Sequence, residues 1–165
     1  MDPVGALIGL AEVALALAGF SAIVLVLSSR TNPIQAEELA FVRIMVSNGV
    51  GMAFSSLIAV SLLALEIPPP RVWVVASGIV FVGALAVSAL NFLVFLRGLD
   101  AETSGLVSFW WSFVVVGALI HLVNALGLFA PPSFGFFFLG LVVLLSQAGA
   151  QFVYILYAIL GRSEP

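Results

Sequence analysis

The feature that most constrains this chain is a membrane-length apolar run at residues 4–27, VGALIGLAEVALALAGFSAIVLVL, in which Glu12 is the only charge. A helix needs about 20 apolar residues to cross the hydrocarbon core of a bilayer. Further apolar runs of this kind follow, and the whole chain is 63% hydrophobic and 8% charged. The sequence therefore predicts an all-α integral membrane protein without a soluble domain.

Polar and proline-bearing breaks divide the 165 residues into a single transmembrane domain, 1–165, with five predicted spans. The second helix is expected to begin near Pro33, because Asn32 suits the N-cap and Gln35 completes the spacing of a capping box. The prolines of EIPPPR and FAPPSF predict two tight hairpin breaks. The spans are expected at about 4–28, 40–66, 71–97, 107–129 and 134–160.

The arginines predict the orientation of the chain in the membrane. Five spans place Arg71 on one side and the other four arginines on the opposite side: Arg30, Arg43, Arg97 and Arg162. Cytoplasmic loops carry the excess of basic residues, so we expect the N-terminus outside and the C-terminus in the cytoplasm. The N-terminus lacks the positive region of a signal peptide, so the first run is expected to stay as a span of a prokaryotic plasma (inner) membrane protein.

Two ionisable residues lie deep inside the predicted spans. Glu12 lies roughly 12 Å from the outer end of the first span, and the same depth in the fourth span reaches His121. An ionised side chain there costs about 2.5–3.5 kcal/mol, so Glu12 is expected to face the bundle and either meet a partner or stay protonated. Asn124 lies one turn from His121 on the same helix face. The three residues predict either a proton or ion pathway or a polar clasp between the first and fourth helices.

A second polar layer is predicted in the inner half of the membrane. Gln147 and Gln151 lie four residues apart and so share a helix face. Arg43 is expected to extend its guanidinium to the cytoplasmic interface. The amides either line a cavity or form hydrogen bonds between helices, and the second is the more common arrangement. The layer consists of Arg43, Asn48, Asn91, Gln147 and Gln151.

Glycines at several helix positions predict close approach of neighbouring helices. Gly5 and Gly9 form a GxxxG motif in the first span, and the sequence Asn-Gly-Val-Gly at 48–51 opens a groove in the second. Such contacts could lie within one copy or between copies. A homo-oligomer is expected, because five short spans leave little internal volume for an aqueous path. The fifth span carries three more: Gly135, Gly140 and Gly149.

Several kinds of chemistry are missing from the sequence. The chain has no Cys and a single His, and it shows neither a metal-ligand spacing nor a phosphate-binding loop nor a serine nucleophile motif. We therefore expect no enzyme activity, no metal and no cofactor. The five arginines are too scattered to bind nucleic acid. The expected partners are the lipid bilayer and further copies of the chain, with another membrane protein as a further candidate.

Two segments, AEVALALAGFSAIVLVLSSR at 11–30 and NALGLFAPPSFGFFFLGLVVLLSQAGAQFVYIL at 124–156, carry a resemblance. They resemble a group of small bacterial multi-spanning integral membrane proteins. In that group a first helix with a Gly-Phe-Ser segment precedes an Arg-bearing loop, and the closing half runs from Asn-Ala-Leu-Gly through a proline break to a late Gln-Phe. The resemblance implies a bacterial membrane protein and implies no mechanism or site residue.

Two functions are consistent with these residues. The first is a small oligomeric channel or transporter subunit for protons or small cations, in which Glu12 and His121 titrate and Asn124 orients them. The second is a non-conducting accessory or scaffold subunit of a membrane complex, whose polar residues only fasten helices. A scaffold predicts a dry, fully hydrogen-bonded Glu12, and a pathway predicts a Glu12 that is accessible from at least one side.

Overall fold

The computed structural model describes residues 2–28, 36–95 and 101–160, with side chains at 2–27, 39, 42–90, 109 and 111–157. Within these ranges the chain forms five α-helices and no strand, so the all-α prediction is confirmed. Four of them, all except the fourth in chain order, are long and apolar enough to cross a membrane. The helices are α1 (Pro3–Ser28), α2 (Ala36–Ala64), α3 (Pro69–Phe95), α4 (Ala101–Leu126) and α5 (Phe134–Leu160).

Local hydrogen bonds explain where α1, α2 and α4 begin or end. The Asp2 carboxylate caps α1 by accepting hydrogen bonds from the backbone N–H of Val4 at 3.1 Å and of Gly5 at 2.9 Å. Helix α4 ends in a Schellman motif at Gly127, whose φ of 62° suits glycine. Helix α2 ends in the same motif, but there Glu66 takes the left-handed conformation, with φ at 59°.

The two proline breaks lie where the sequence predicted them. The carbonyl of Pro68 accepts hydrogen bonds from the N–H groups of Arg71 and Val72, and α3 begins at Pro69. Ser133 follows the second break and caps α5, its carbonyl accepting from the N–H of Phe137 at 3.2 Å. The predicted start of the second helix, with Asn32, Pro33 and Gln35, lies outside the described residues, as do Arg30, Arg97 and Arg162.

Helix α5 occupies the centre of the bundle. It contacts α1, α2, α3 and α4, whereas α1 packs on α2 and α5, and α4 packs on α3 and α5. At one end of the core the buried Trp73 ring lies 5.4 Å from the ring of Phe134 and 5.7 Å from that of Phe137. This aromatic contact joins α3 to the first turn of α5.

The contact between α1 and α2 depends on Gly49. A Cβ added at Gly49 would lie 2.6 Å from the carbonyl oxygen of Ala14 and 3.0 Å from the Cβ of Ala18. The predicted close approach is therefore confirmed at Gly49, and also at Gly140 in α5, where an added Cβ would lie 2.6 Å from a ring nitrogen of His121. Three of the other glycines that the sequence singled out face open space within the described structure: Gly9, Gly51 and Gly149.

We expect Gly49→Ala to destabilise the fold by about 1–3 kcal/mol, because the new methyl group meets backbone that cannot move aside without separating the two helices. Gly51→Ala, two residues along the same helix, is the control. Its methyl enters open space, and alanine favours a helix over glycine by roughly 0.5–1 kcal/mol. The measurement is SDS-induced unfolding of the purified protein in mixed micelles, followed by circular dichroism. Equal unfolding midpoints for the two variants would contradict this account of the α1–α2 contact.

Candidate functional site

Glu12 lies on the exposed surface of α1 and does not face the bundle. Ala14 contacts Gly49 of α2, and each residue turns a helix by about 100°, so Glu12 points roughly 200° round the helix from that contact. No hydrogen bond or ion pair involves Glu12 within the described part of the chain. The expectation that Glu12 meets a partner inside its own bundle is therefore wrong.

A band of mostly small side chains surrounds Glu12 on the same side of α1, and we call it the outer face of α1. Added Cβ atoms at Gly9 and Gly19 would meet nothing within 4 Å. The opposite side of the helix carries the fully buried Leu7 and Ala14. The outer face comprises Gly5, Ile8, Gly9, Glu12, Leu15, Ala16, Gly19 and Ile23.

His121 is fully buried, in a position that α5 creates. Its imidazole lies directly over Gly140 and stands edge-on to the ring of Phe137, with 5.3 Å between ring centroids. Neither ring nitrogen has a hydrogen-bond partner among the described residues. The predicted pairing with Glu12 is wrong, because an equal depth in two helices does not determine which way their side chains point.

Asn124 is a structural fastener at the end of α4. Its side-chain N–H groups donate to the Oγ of Ser77 at 2.9 Å and to the carbonyl of Ser133 at 3.1 Å, and its Oδ1 accepts from the N–H of Ser133 at 2.9 Å. These bonds join α4 to α3 and to the N-cap of α5. The polar clasp that the sequence predicted between the first and fourth helices is instead found here, and Asn124 does not orient His121.

Three members of the inner polar layer line a cavity of about 260 Å³ between α2, α3, α4 and α5. Gln147 and Gln151 line it and are 2% and 1% exposed, and the Oε1 atom of each lacks a hydrogen-bond partner in the described structure. The Nδ2 of Asn48, also in the lining, lacks one as well. We call this space the amide cavity. Of the two arrangements that the sequence allowed for these amides, the cavity is the one that the structure contains.

Arg43, another member of the predicted layer, is not among the described residues that line the amide cavity. The Arg43 side chain is exposed on α2, which agrees with a guanidinium that reaches towards the membrane surface. The side chain of Asn91 lies outside the described residues, although its backbone belongs to α3.

Sequence reasoning missed the serines that hold Asn124. Ser133 had a detectable signal, because a serine that follows two prolines and precedes an apolar run is a typical helix N-cap. Ser77 had none, since a serine in an apolar span has no spacing that predicts its partner. Gly117 was also missed: an added Cβ there would lie 2.8 Å from the side chain of Leu144 on α5.

Comparison of the chain with protein-family models, with curated proteins and with solved structures finds no match. The candidate site therefore has to be interpreted from this chain's own residues. It has three separate parts: an outward carboxylate at Glu12, a buried fastener at Asn124 with the enclosed His121 beside it, and the amide cavity.

We expect Asn124→Leu and His121→Leu to have opposite consequences, although the two residues lie one turn apart. Asn124→Leu removes three hydrogen bonds and leaves Ser77 and the Ser133 N–H unpaired, which should cost about 1–3 kcal/mol. His121→Leu removes two unpaired buried nitrogens, so the stability should stay equal to that of the wild type or rise. Unfolding midpoints in SDS-containing mixed micelles measure both effects. A loss at His121 as large as that at Asn124 would show that the imidazole has a partner.

Proposed function

We propose that the protein is a small homo-oligomeric accessory subunit of the bacterial inner membrane, non-conducting itself, whose copies meet through the outer face of α1. The single observation that carries this proposal is the exposed position of Glu12. The carboxylate is accessible in a single copy, and in the proposed assembly a second copy covers it and supplies the hydrogen bond that an accessory or scaffold function requires. An ionisable side chain that faces lipid is costly, and such residues usually face another protein surface.

The proposal includes five spans, with the N-terminus outside and the C-terminus in the cytoplasm. Helix α4 has 26 residues, about 39 Å at helical rise, which is long enough to cross a hydrocarbon core of roughly 30 Å. It packs between α3 and α5, both of which are candidate spans. The positive-inside rule then supports the orientation, with Arg71 alone on the outer side.

A second copy of the chain fits the outer face of α1 well. Copies related by a two-fold axis along the membrane normal place each Glu12 at the same depth as its counterpart. A protonated carboxyl of one copy can then donate a hydrogen bond to the carboxyl of the other. Gly9 and Gly19 project no side chain, and nothing within their own bundle fills the space in front of them, so the two backbones can approach closely.

The pathway through Glu12 and His121 has less support. Glu12 points away from the bundle, and neither ring nitrogen of the buried His121 has a hydrogen-bond partner in the described part of the chain. The charge on the outer face favours a second candidate function instead, a proton or small-cation path between copies at Glu12. Such a path would not need His121.

The assembly is tested by disulfide cross-linking, for which the chain is suited because it contains no cysteine. Ala16→Cys introduces a thiol one turn from Glu12 on the outer face, and oxidation in native membranes should give a band of twice the monomer mass. Val82→Cys, on an exposed part of α3, is the control and should stay monomeric. Adding Glu12→Leu to Ala16→Cys should weaken association about three- to thirtyfold, and Glu12→Gln should keep it.

Two cross-linking results would contradict the assembly. A monomeric Ala16→Cys protein would mean that the outer face does not meet its counterpart. A band at a mass other than the doubled one would mean that a different protein covers Glu12.

The two candidate functions differ in ion flux across liposomes that contain the purified protein. The accessory function predicts no proton or cation flux above that of empty liposomes, even with an imposed membrane potential. A path between copies predicts flux that is lost in Glu12→Gln and unchanged in His121→Leu. Loss of flux in both variants would instead restore the pathway through both residues.

A further inference from the structure

We propose that the amide cavity is a binding site for a neutral, lipid-soluble molecule with an apolar body and a hydroxyl group, an alcohol or a phenol. The site lies apart from the outer face of α1, so the inference is independent of the proposed assembly. Its lining residues come from four helices, α2, α3, α4 and α5.

The wall of the cavity selects an apolar and uncharged ligand. Ile44, Met52, Val80 and Leu144 are among the side chains that form it, and none of the described lining residues is charged. Binding sites for small molecules are commonly apolar pockets with a few polar groups that fix the ligand's orientation. An ion would lose its hydration here without gaining a counter-charge, so the ligand is neutral.

Three of the six buried side-chain polar atoms that lack a hydrogen-bond partner among the described residues belong to the cavity lining, and the other three belong to His121 and Ser56. The Oε1 atoms of Gln147 and Gln151 are buried acceptors without a donor, and the Nδ2 of Asn48 is a buried donor without an acceptor. Each unpaired buried group destabilises the folded protein, and a bound partner that pairs with the group recovers that cost. A hydroxyl group can donate to a glutamine oxygen and accept from the asparagine nitrogen.

The cavity opens sideways between α2 and α3. Phe54 and Ile79 line it and are 63% and 43% exposed. Gly51 and Gly83 also line it, and an added Cβ at either would meet nothing within 4 Å. All four residues lie inside the candidate spans Val42–Ala64 and Pro69–Leu90. A ligand therefore enters from the hydrocarbon phase, which requires it to be lipid-soluble.

The test uses two probes that differ in one hydroxyl group, 8-bromooctan-1-ol and 1-bromooctane, with the full chain in phosphatidylcholine nanodiscs. Bromine quenches tryptophan on contact, and Trp111 lines the cavity, so quenching of its emission reports occupancy. The Trp111→Phe variant gives the background from the other tryptophans. We expect saturable quenching by the bromoalcohol with a midpoint, in probe per lipid, about two- to tenfold below that of the bromoalkane, the gain from one buried hydrogen bond.

Two pairs of variants make the test specific. Gly83→Leu fills the cavity and should abolish saturable quenching, whereas Gly149→Leu, a matched change outside the lining, should keep it. Gln151→Leu should keep binding and remove the preference for the bromoalcohol. Circular dichroism and gel filtration check that each variant folds, and Gln147→Leu replaces Gln151→Leu if the latter does not.

Three results would overturn the proposal. The first is quenching that rises linearly with either probe, as expected for simple partition into lipid. The second is saturable quenching that persists in Gly83→Leu. The third is an equal midpoint for the two probes in the wild type, which would show that the amide cavity binds any acyl chain and does not recognise the hydroxyl group.

Discussion

The architecture depends on a reciprocal contact between α4 and α5. Each helix offers a glycine to a large side chain of the other: Gly117 of α4 receives Leu144, and Gly140 of α5 receives His121. In a membrane the lipid tails are as apolar as leucine, so helices associate through close packing and hydrogen bonds more than through the hydrophobic effect. The Asn124 bonds to Ser133 lie beside this contact and fix how far one helix slides along the other.

This contact also decides what the buried polar groups of α4 and α5 can do. His121 packs on Gly140, and there neither ring nitrogen finds a hydrogen-bond partner among the described residues. About two and three turns beyond Gly140 along α5, Gln147 and Gln151 face the space that α2 and α3 do not fill. The α4–α5 pair thus encloses the imidazole of His121 and presents the amides of Gln147 and Gln151 to the amide cavity. Of these three side chains, only the two amides offer a ligand atoms to recognise.

The sequence predicted the features that depend on distance along the chain. Apolar length predicted the helices, and the proline clusters predicted the two breaks, because both follow from local geometry. The burial of Asn124, Gln147 and Gln151 was predictable as well, since a polar group inside a span is expected to face protein. Gly49 and Gly140 were recognised as sites of close approach, because glycines in spans let neighbouring helices come close together.

The rotation of each helix about its own axis could not be predicted in the same way. Apart from Glu12, helix α1 carries only two serines among apolar residues and no other charge, so no stripe in its sequence distinguishes an inner from an outer face. Counting residues fixed the depth of Glu12 and of His121 but not the directions of their side chains. The prediction for Glu12 was therefore wrong about the direction of its side chain, because equal depth in two helices does not show that their side chains meet.

Helix α2 fixes the rotation of α1 about its own axis, and it also lines the amide cavity. Two of its glycines, only two residues apart, have these two roles. Gly49 faces α1 and brings Ala14 inward, which turns Glu12 outward. Gly51 points about 200° away from Gly49 and widens the amide cavity. Helix α2 therefore positions both candidate sites, the outer face of α1 on one side and the amide cavity on the other. A change confined to Gly51 should affect the cavity without rotating α1, so binding in the cavity and association through Glu12 can be separated experimentally.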